Sequence, residues 1–550
     1  MLKEIIRYIL VVLFGALLIG VMLFVMYKPI AISESVDTLV IFGENTDLDE
    51  KHKAFVEDSC IYVAFSTFYK TVDSTLCFDE ASQKVIITNH DNVVKLKVDS
   101  NVKSVNLEEK EIKHSVKKID GVVFLPLTDL LDYYDLTLSY NSENKMVSID
   151  KLGIDTSKVI YNNIPIFSDI TTKSDVLQTL KRDDDVVVYD EALKHNRWYK
   201  IRSSAGNVGY IFKDAVDFDV NGSVSKEEKN EEIVDAKKVV MFWQYDSVVS
   251  VLQKNNIEGV NTVSPTTYEI SNALGEVSGK ISSGYVELAH SYGYNVWPII
   301  TNGIDSANYS SKDTSAIMNS ELAREKLIKN IIAVIERDKL DGINIDFEQM
   351  KQEDKDMYTQ FIRELAPIMR KISKTLSVDI YFTNYIDRAG IGEAADYVVL
   401  MGYDQNGSWS ETSGSVSSVA WVEDNVKSLI EDSKIPENKI ILGVPFYTRL
   451  WTEKAGEDRP QTTVYTMSQA ANYIVQNSLE LTYNEETRQN YFEYTRGSNV
   501  YKMWVEDATS MKNRVDVINK YSLAGISAWR IGFETSDIWP TITENLNNSK

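Results

Sequence analysis

Asp341-Gly342-Ile343-Asn344-Ile345-Asp346-Phe347-Glu348 is the stretch on which the fold turns. In an extended chain, successive side chains point to opposite faces. Ile343, Ile345 and Phe347 therefore share one face, suited to packing under helices, and Asn344, Asp346 and Glu348 share the other. An ordinary solvated strand end also carries acids, but not backed by an unbroken apolar face. The pattern places two carboxylates in a semi-enclosed interior, where they resist desolvation and repel each other, so that one pKa rises. A core built only for stability avoids this arrangement, and a catalytic cleft uses it.

Outward from this stretch, strand-like apolar runs recur with helical segments between them. Eight are expected: Val239–Phe242, Gly259–Val263, Asn295–Ile300, Gly342–Phe347, Val378–Thr383, Tyr397–Met401, Ile440–Val444 and Gly525–Ala528. Amphipathic segments such as Ala323–Arg337 and Tyr358–Ser373 fill the gaps. Strands alternating with helices over about 300 residues indicate parallel βα units, and eight of them indicate an α/β fold of the (β/α)8 TIM-barrel type. Catalytic groups in such a barrel sit at the C-terminal ends of the strands. Asp346 and Glu348 end the fourth expected strand. Met401-Gly402-Tyr403-Asp404 ends the sixth, and Gly525-Ile526-Ser527-Ala528-Trp529 is the eighth.

These three strand ends resemble the DxxDxDxE, MxYD and terminal-Trp motifs of family 18 glycoside hydrolases, the chitinase-like family, over roughly residues 237–545 of a barrel domain expected at 237–550. Within that family the style is similar to the spore and cell-wall N-acetylglucosaminidases. One position departs: Asn344 stands where the signature has its second Asp, and an amide cannot share a carboxylate proton. The resemblance implies a glycosidase acting on β-linked N-acetylglucosamine polysaccharide, chitin-like or peptidoglycan. It implies substrate-assisted, retaining catalysis, an exception to the two-carboxylate scheme. Glu348 would be the proton donor, Asp346 would hold the 2-acetamido group, and Tyr403 would hydrogen-bond its oxygen. Asn344, Asp341, Asp404, Met401 and Trp529 are implied as substrate-binding, with Trp529 stacking under the sugar ring. A non-catalytic, lectin-like glycan-binding protein on the same barrel is the alternative that Asn344 keeps open.

The N-terminal half reads differently. Ile9 to Tyr27 is a run of 19 residues without a charge, preceded by Lys3 and Arg7 and followed by Lys28. At ~1.5 Å per residue it spans a bilayer core, and it is longer than the apolar region of a cleaved signal peptide. Residues 1–33 are expected to form a transmembrane anchor that leaves the rest of the chain outside the cytoplasm, at the cell membrane. Residues 34–152 are expected as an accessory domain, and within it residues 60–150 contain an internal repeat. Tyr62-Val63-Ala64-Phe65 aligns with Phe124-Leu125-Pro126-Leu127, and Leu76-Cys77-Phe78-Asp79 with Leu138-Ser139-Tyr140-Asn141. Each copy ends in a hairpin, and the segment resembles the small α+β domain named from the N-terminus of copper amine oxidases. Residues 153–218, with Trp198-Tyr199-Lys200-Ile201 and Gly206-Asn207-Val208-Gly209-Tyr210-Ile211, resemble a bacterial SH3-like β-barrel. The polar stretch 219–236 reads as a solvated linker.

A net charge of -23 repels nucleic acid, and no basic cluster offsets it. Cys60 and Cys77 make no disulfide framework and are expected as unpaired thiols. The five histidines (His52, His90, His114, His195 and His290) are scattered, and no metal-ligand spacing links them to cysteines or carboxylates. No metal and no cofactor is expected.

Overall fold

Val-, Ile- and Leu-rich runs flanked by polar turns fold here as parallel strands covered by helices, because such strands must bury both faces. The computed structural model describes residues 33–189, 197–217, 237–254, 256–303, 311–348 and 350–546. The expected anchor at Ile9–Tyr27 and the linker 219–236 lie outside the described residues. Among the described residues no helix is long and apolar enough to cross a membrane.

Two units divide the chain. The first comprises residues 1–76, 96–103 and 110–228; the second comprises 77–95, 104–109 and 229–550. The accessory segment expected at 34–152 is thus shared between them.

The second unit holds a closed barrel of eight parallel strands. They are Val239–Gln244, Thr262–Ile270, Ile299–Thr301, Gly342–Asp346, Thr375–Ile380, Tyr397–Met401, Ile440–Pro445 and Gly525–Trp529. Each pairs with its sequence neighbours, and the first closes onto the eighth, Val239 opposite Gly525. Gly525 is required at that closure: a Cβ there would sit 1.9 Å from the Val239 carbonyl oxygen.

The second, third and fifth strands depart most from their expected bounds; the other five begin at the expected residue. The second begins at Thr262 rather than Gly259, because Gly259 turns with φ +87°. The third is broken into Asn295–Val296 and Ile299–Thr301 around Pro298, which has no N–H for a ladder. The fifth begins at Thr375 and ends at Ile380, so Tyr381 and Thr383 lie beyond its end.

The alternation in the fourth strand holds. Ile343, Ile345 and Phe347 are buried in the layer between strands and helices. Phe347 stacks on Tyr358 and Phe361 of the helix Lys355–Lys371 at 5.6 and 6.0 Å. The preceding helix, Glu321–Asp338, starts on the Ser320 side chain, which accepts from Ala323 N, and stops at Lys339 in the left-handed conformation.

Between the seventh and eighth strands lies an insertion. Its five-stranded antiparallel sheet runs from Tyr447–Lys454 to Asn499–Val505 and carries the helix Met467–Gln476. Leu450, Ala470, Phe492, Met503 and Val505 form its own core.

In the first unit, the two repeat copies meet through their opening strands: Cys60–Ala64 pairs antiparallel with Val122–Pro126, Val63 opposite Leu125. The second copy's hairpin, Leu136–Asn141 with Met146–Lys151, adds to Thr38–Ile41. Residues 156–212 supply a six-stranded sheet around Val159, Ile166, Val188, Ile201 and Ile211. Cys60 and Cys77 are both free.

Candidate active site

Glu348 lies just past the end of the fourth strand and is exposed at the mouth of a cleft of about 520 Å³. Its backbone N donates to Asn302 Oδ1 at 3.2 Å, which fixes the turn out of the strand. Asp346, two residues back, has the same inward parity and lines the same cleft. Its Oδ1 is buried with no hydrogen-bond partner. Burial, then Asp379 and Glu348, push its carboxyl well above the usual carboxylate range.

Met401, Tyr403, Asp404 and Trp529 arrive at this cleft from the sixth and eighth strands. Tyr403 is kept protonated by burial and by nearby acids, Asp379 first among them, so its hydroxyl is a donor. Asp404 adopts φ +56°, an uncommon conformation for a non-glycine residue. Its Oδ1 accepts from Tyr447 Oη at 2.6 Å, and Tyr381 Oη donates to its carbonyl oxygen at 3.2 Å. The Trp529 and Tyr403 rings pack edge-on to Trp243 at 6.0 and 6.4 Å, making an aromatic floor.

Two residues implied as substrate-binding are placed elsewhere. Asn344 is fully buried beneath the cleft, where Oδ1 accepts from Trp243 Nε1 at 2.9 Å and Nδ2 donates to Asp379 Oδ1 at 2.7 Å. Asp341 stands at the opposite end of the strand, about 16 Å from Asp346 at the usual rise per residue. Its carboxylate accepts from Val296 N at 2.9 Å and pairs with His290 Nε2 at 2.8 Å. Asp341 thus ties the start of the fourth strand to its neighbour and does not line the cleft. Its parity, odd like that of Ile343 and Ile345, is the signal that marks it.

The cleft also holds residues that the sequence pattern did not single out: Asp379, Tyr381, Tyr385, Tyr447, Trp409 and Trp243. Burial first, then Glu348, raise the Asp379 carboxyl, and the hydrogen bond from Asn344 opposes that rise. Trp409 is exposed at the rim, with the Arg449 guanidinium 5.9 Å from its ring centroid.

A different set of side chains meets in the first unit. Cys60, His114 and Asp129 bring potential ligand atoms within 4.8 Å of one another, although no sequence spacing marks them. His114 Nδ1 already pairs with Asp129 at 3.0 Å. Burial, then Asp129, push the Cys60 thiol up to about 12, so it is a neutral thiol at pH 7.

Residues 281–534 match the family model described as glycosyl hydrolases family 18, a match that begins after the second barrel strand. Residues 41–183 match the copper amine oxidase N-terminal domain. An uncharacterized glycosylase, YvbX, of Bacillus subtilis is 25% identical over 296 residues, covering 52% of this chain and 84% of that protein. The cortical fragment-lytic enzyme of the same organism is 27% identical over 263 residues, 45% of this chain and 59% of its own length. Among solved structures, the C-terminal domain of a putative chitinase from Desulfitobacterium hafniense aligns over 57% of this chain and 100% of its own, with TM-score 0.50 and 22% identity. The spore cortex-lytic enzyme SleL of Bacillus megaterium aligns over 57% and 75%, with TM-score 0.50 and 21% identity. These structural likenesses speak to the barrel fold.

Proposed function

We propose that this chain, which carries a family 18 glycosyl hydrolase domain and is a glycosidase of that family, cleaves β-linked N-acetylglucosamine glycans with retention and with the substrate's own 2-acetamido group as nucleophile. The observation that carries this reading is that Asp346, whose Oδ1 is buried without a hydrogen-bond partner, lines the cleft together with Glu348. A buried acceptor without a donor is costly unless a ligand supplies one, and an acetamido N–H is such a donor. Glu348, an exposed acid lining the same cleft, protonates the glycosidic oxygen. The acetamido carbonyl oxygen then attacks the anomeric carbon as the leaving group departs, and Asp346 stabilises the positive oxazolinium. Tyr403 donates to the acetamido oxygen, while the Trp529 ring supports the sugar's apolar face. Water opens the intermediate with Glu348 as base, so the product keeps its β configuration.

Two further points belong to the same proposal. The substrate is peptidoglycan rather than chitin, in keeping with the cortical fragment-lytic relative. The chain is held at the cell membrane by residues 9–27, with the barrel outside the cytoplasm and the SH3-like segment facing the wall.

The test is a side-by-side digestion of purified peptidoglycan and chitin oligomers, with products identified by mass and with a thiazoline mimic of the oxazolinium as inhibitor. Competitive inhibition, binding far tighter than that of substrate, supports the route. A sugar trapped covalently on a carboxylate defeats it, and binding without release of reducing ends favours the lectin. Full-length protein released from membranes only by detergent supports the anchor; a soluble form starting near Glu34 refutes it.

A further inference from the structure

Asn344 uses its amide at both ends. The indole of Trp243 can only donate, so the Asn344 oxygen faces it and the Asn344 nitrogen must face Asp379. That hydrogen bond, 2.7 Å to Oδ1, favours the ionised form of Asp379. The last paired positions of the fourth and fifth strands are Asn344 with Ser377 and Ile345 with Val378. The next step of this register sets Asp346 beside Asp379, on strands that run about 4.8 Å apart. Both carboxylates line the cleft. Around Asp379 stand Asp346 and Glu348 from the fourth strand and its end, Tyr403 from the sixth, and Tyr358 from the helix outside. Among the described residues no lysine or arginine offsets the pair. Two carboxylates so placed do not both ionise, and the proton they keep belongs to the pair.

We infer that Asp379 is the positioning acid of this cleft, sharing one proton with Asp346 across the two strands and so doing from the fifth strand what the amide at position 344 cannot do from the fourth. In the resting site the proton lies on Asp346, and Asp379 is the carboxylate held by Asn344. When positive charge develops beside Asp346, the Asp346 O–H bond breaks and an O–H bond forms on Asp379. The pair keeps a charge of minus one throughout, and the transfer reverses when product leaves. The inference rests on the proposed function for the step it serves; the shared proton itself is a property of the unliganded protein.

The experiment compares wild type, Asp379→Asn and the carboxylate swap Asn344→Asp/Asp379→Asn by pH profiles of kcat/KM and by thermal melting from pH 4 to 8. The swap keeps the hydrogen bond between positions 344 and 379 with its polarity reversed. Asp379→Asn is expected to lose roughly 10²-fold in kcat with KM little changed. Its acid limb should move to lower pH by about one unit or more, since Asp346 loses a like-charged neighbour. The swap should return the limb toward the wild-type position and recover about tenfold or more of the loss. A structural role alone would lower activity without moving the limb. If wild type hydrolyses the glycan and Asp379→Asn keeps its rate and profile, the inference is overturned and the glycosidase reading stands. If wild type hydrolyses nothing, that reading fails, and melting decides the pair. The melting temperature of Asp379→Asn should then gain on wild type as pH rises, because wild type must ionise an acid that burial holds protonated; a gap independent of pH overturns the shared proton.

Discussion

The barrel unit buries acids in two ways. Behind the insertion, Glu506 is buried against Arg514, with bonds of 2.7 and 2.8 Å from the two guanidinium nitrogens. Gln489 Nε2 and Ser510 Oγ, each at 2.8 Å, complete the carboxylate's partners. At the end of the segment 77–95, Lys95 sits 2.8 Å from Glu321 and 3.0 Å from Glu364, and Arg324 lies 3.0 Å from Glu364. There burial alone would lower the Lys95 pKa, but Glu364 and Glu321 hold it above its ordinary value. In the cleft, by contrast, Asp346 and Asp379 are enclosed beside Glu348 with no cation among the described residues. Burial opposes the charge in every one of these places; what differs is whether a cation–acid partner offsets it, in part at Glu506 and fully at Lys95. Removing one partner from a paired cluster strands a buried charge, whereas on the proposed function the cleft acids keep reactivity at the expense of stability.

That contrast can be broken in order of expected effect. Glu348→Gln should reduce hydrolysis by about 10²–10⁴-fold while glycan binding persists, as loss of a general acid requires; turnover assays with binding isotherms check this, and unchanged turnover would remove Glu348 from the mechanism. Arg514→Leu strands a buried carboxylate and should cost about 3–5 kcal/mol in denaturant unfolding. Activity per folded molecule should survive, since Arg514 does not line the cleft. Lys95→Met leaves Arg324 and Lys84 still beside the acids, so its cost should be smaller, about 1–3 kcal/mol by the same measurement.

Asp346→Asn should act in the opposite sense and abolish turnover while stabilising the protein by about 0.5–2 kcal/mol near neutral pH. The folded pKa of Asp346 is raised above its unfolded value, near 3.9. Its penalty is therefore absent below that value, where both states are protonated, and grows as pH rises toward the folded pKa. Melting curves against pH should show the variant's advantage shrinking to nothing in acid. A constant advantage would mean that packing, not charge, sets it.

The cleft was legible in the sequence where one strand carries its own evidence. Asp346 and Glu348 follow from alternation against Ile343, Ile345 and Phe347, and Tyr403, Asp404, Met401 and Trp529 from the family resemblance of their strand ends; all line one cleft. The same resemblance implies Asp341, yet its parity puts it on the outer face, where it pairs with His290. Asp379 is hidden within the expected run Val378–Thr383, because nothing local distinguishes an inward acid from an outward one until strand and register are fixed. Tyr447 belongs to the insertion, and it reaches Asp404 only because the seventh strand leads straight into that sheet.

The sequence by itself determined the eightfold alternation of strand and helix and which face of the fourth strand meets the cleft, since side-chain parity is a property of the chain alone. Only the tertiary structure decided that Asp379 stands beside Asp346 and that Asn344 bridges Trp243 to Asp379. Strand pairing and barrel closure join residues 35 and 101 positions apart, and the low dielectric that makes those neighbours matter exists only once the barrel has closed.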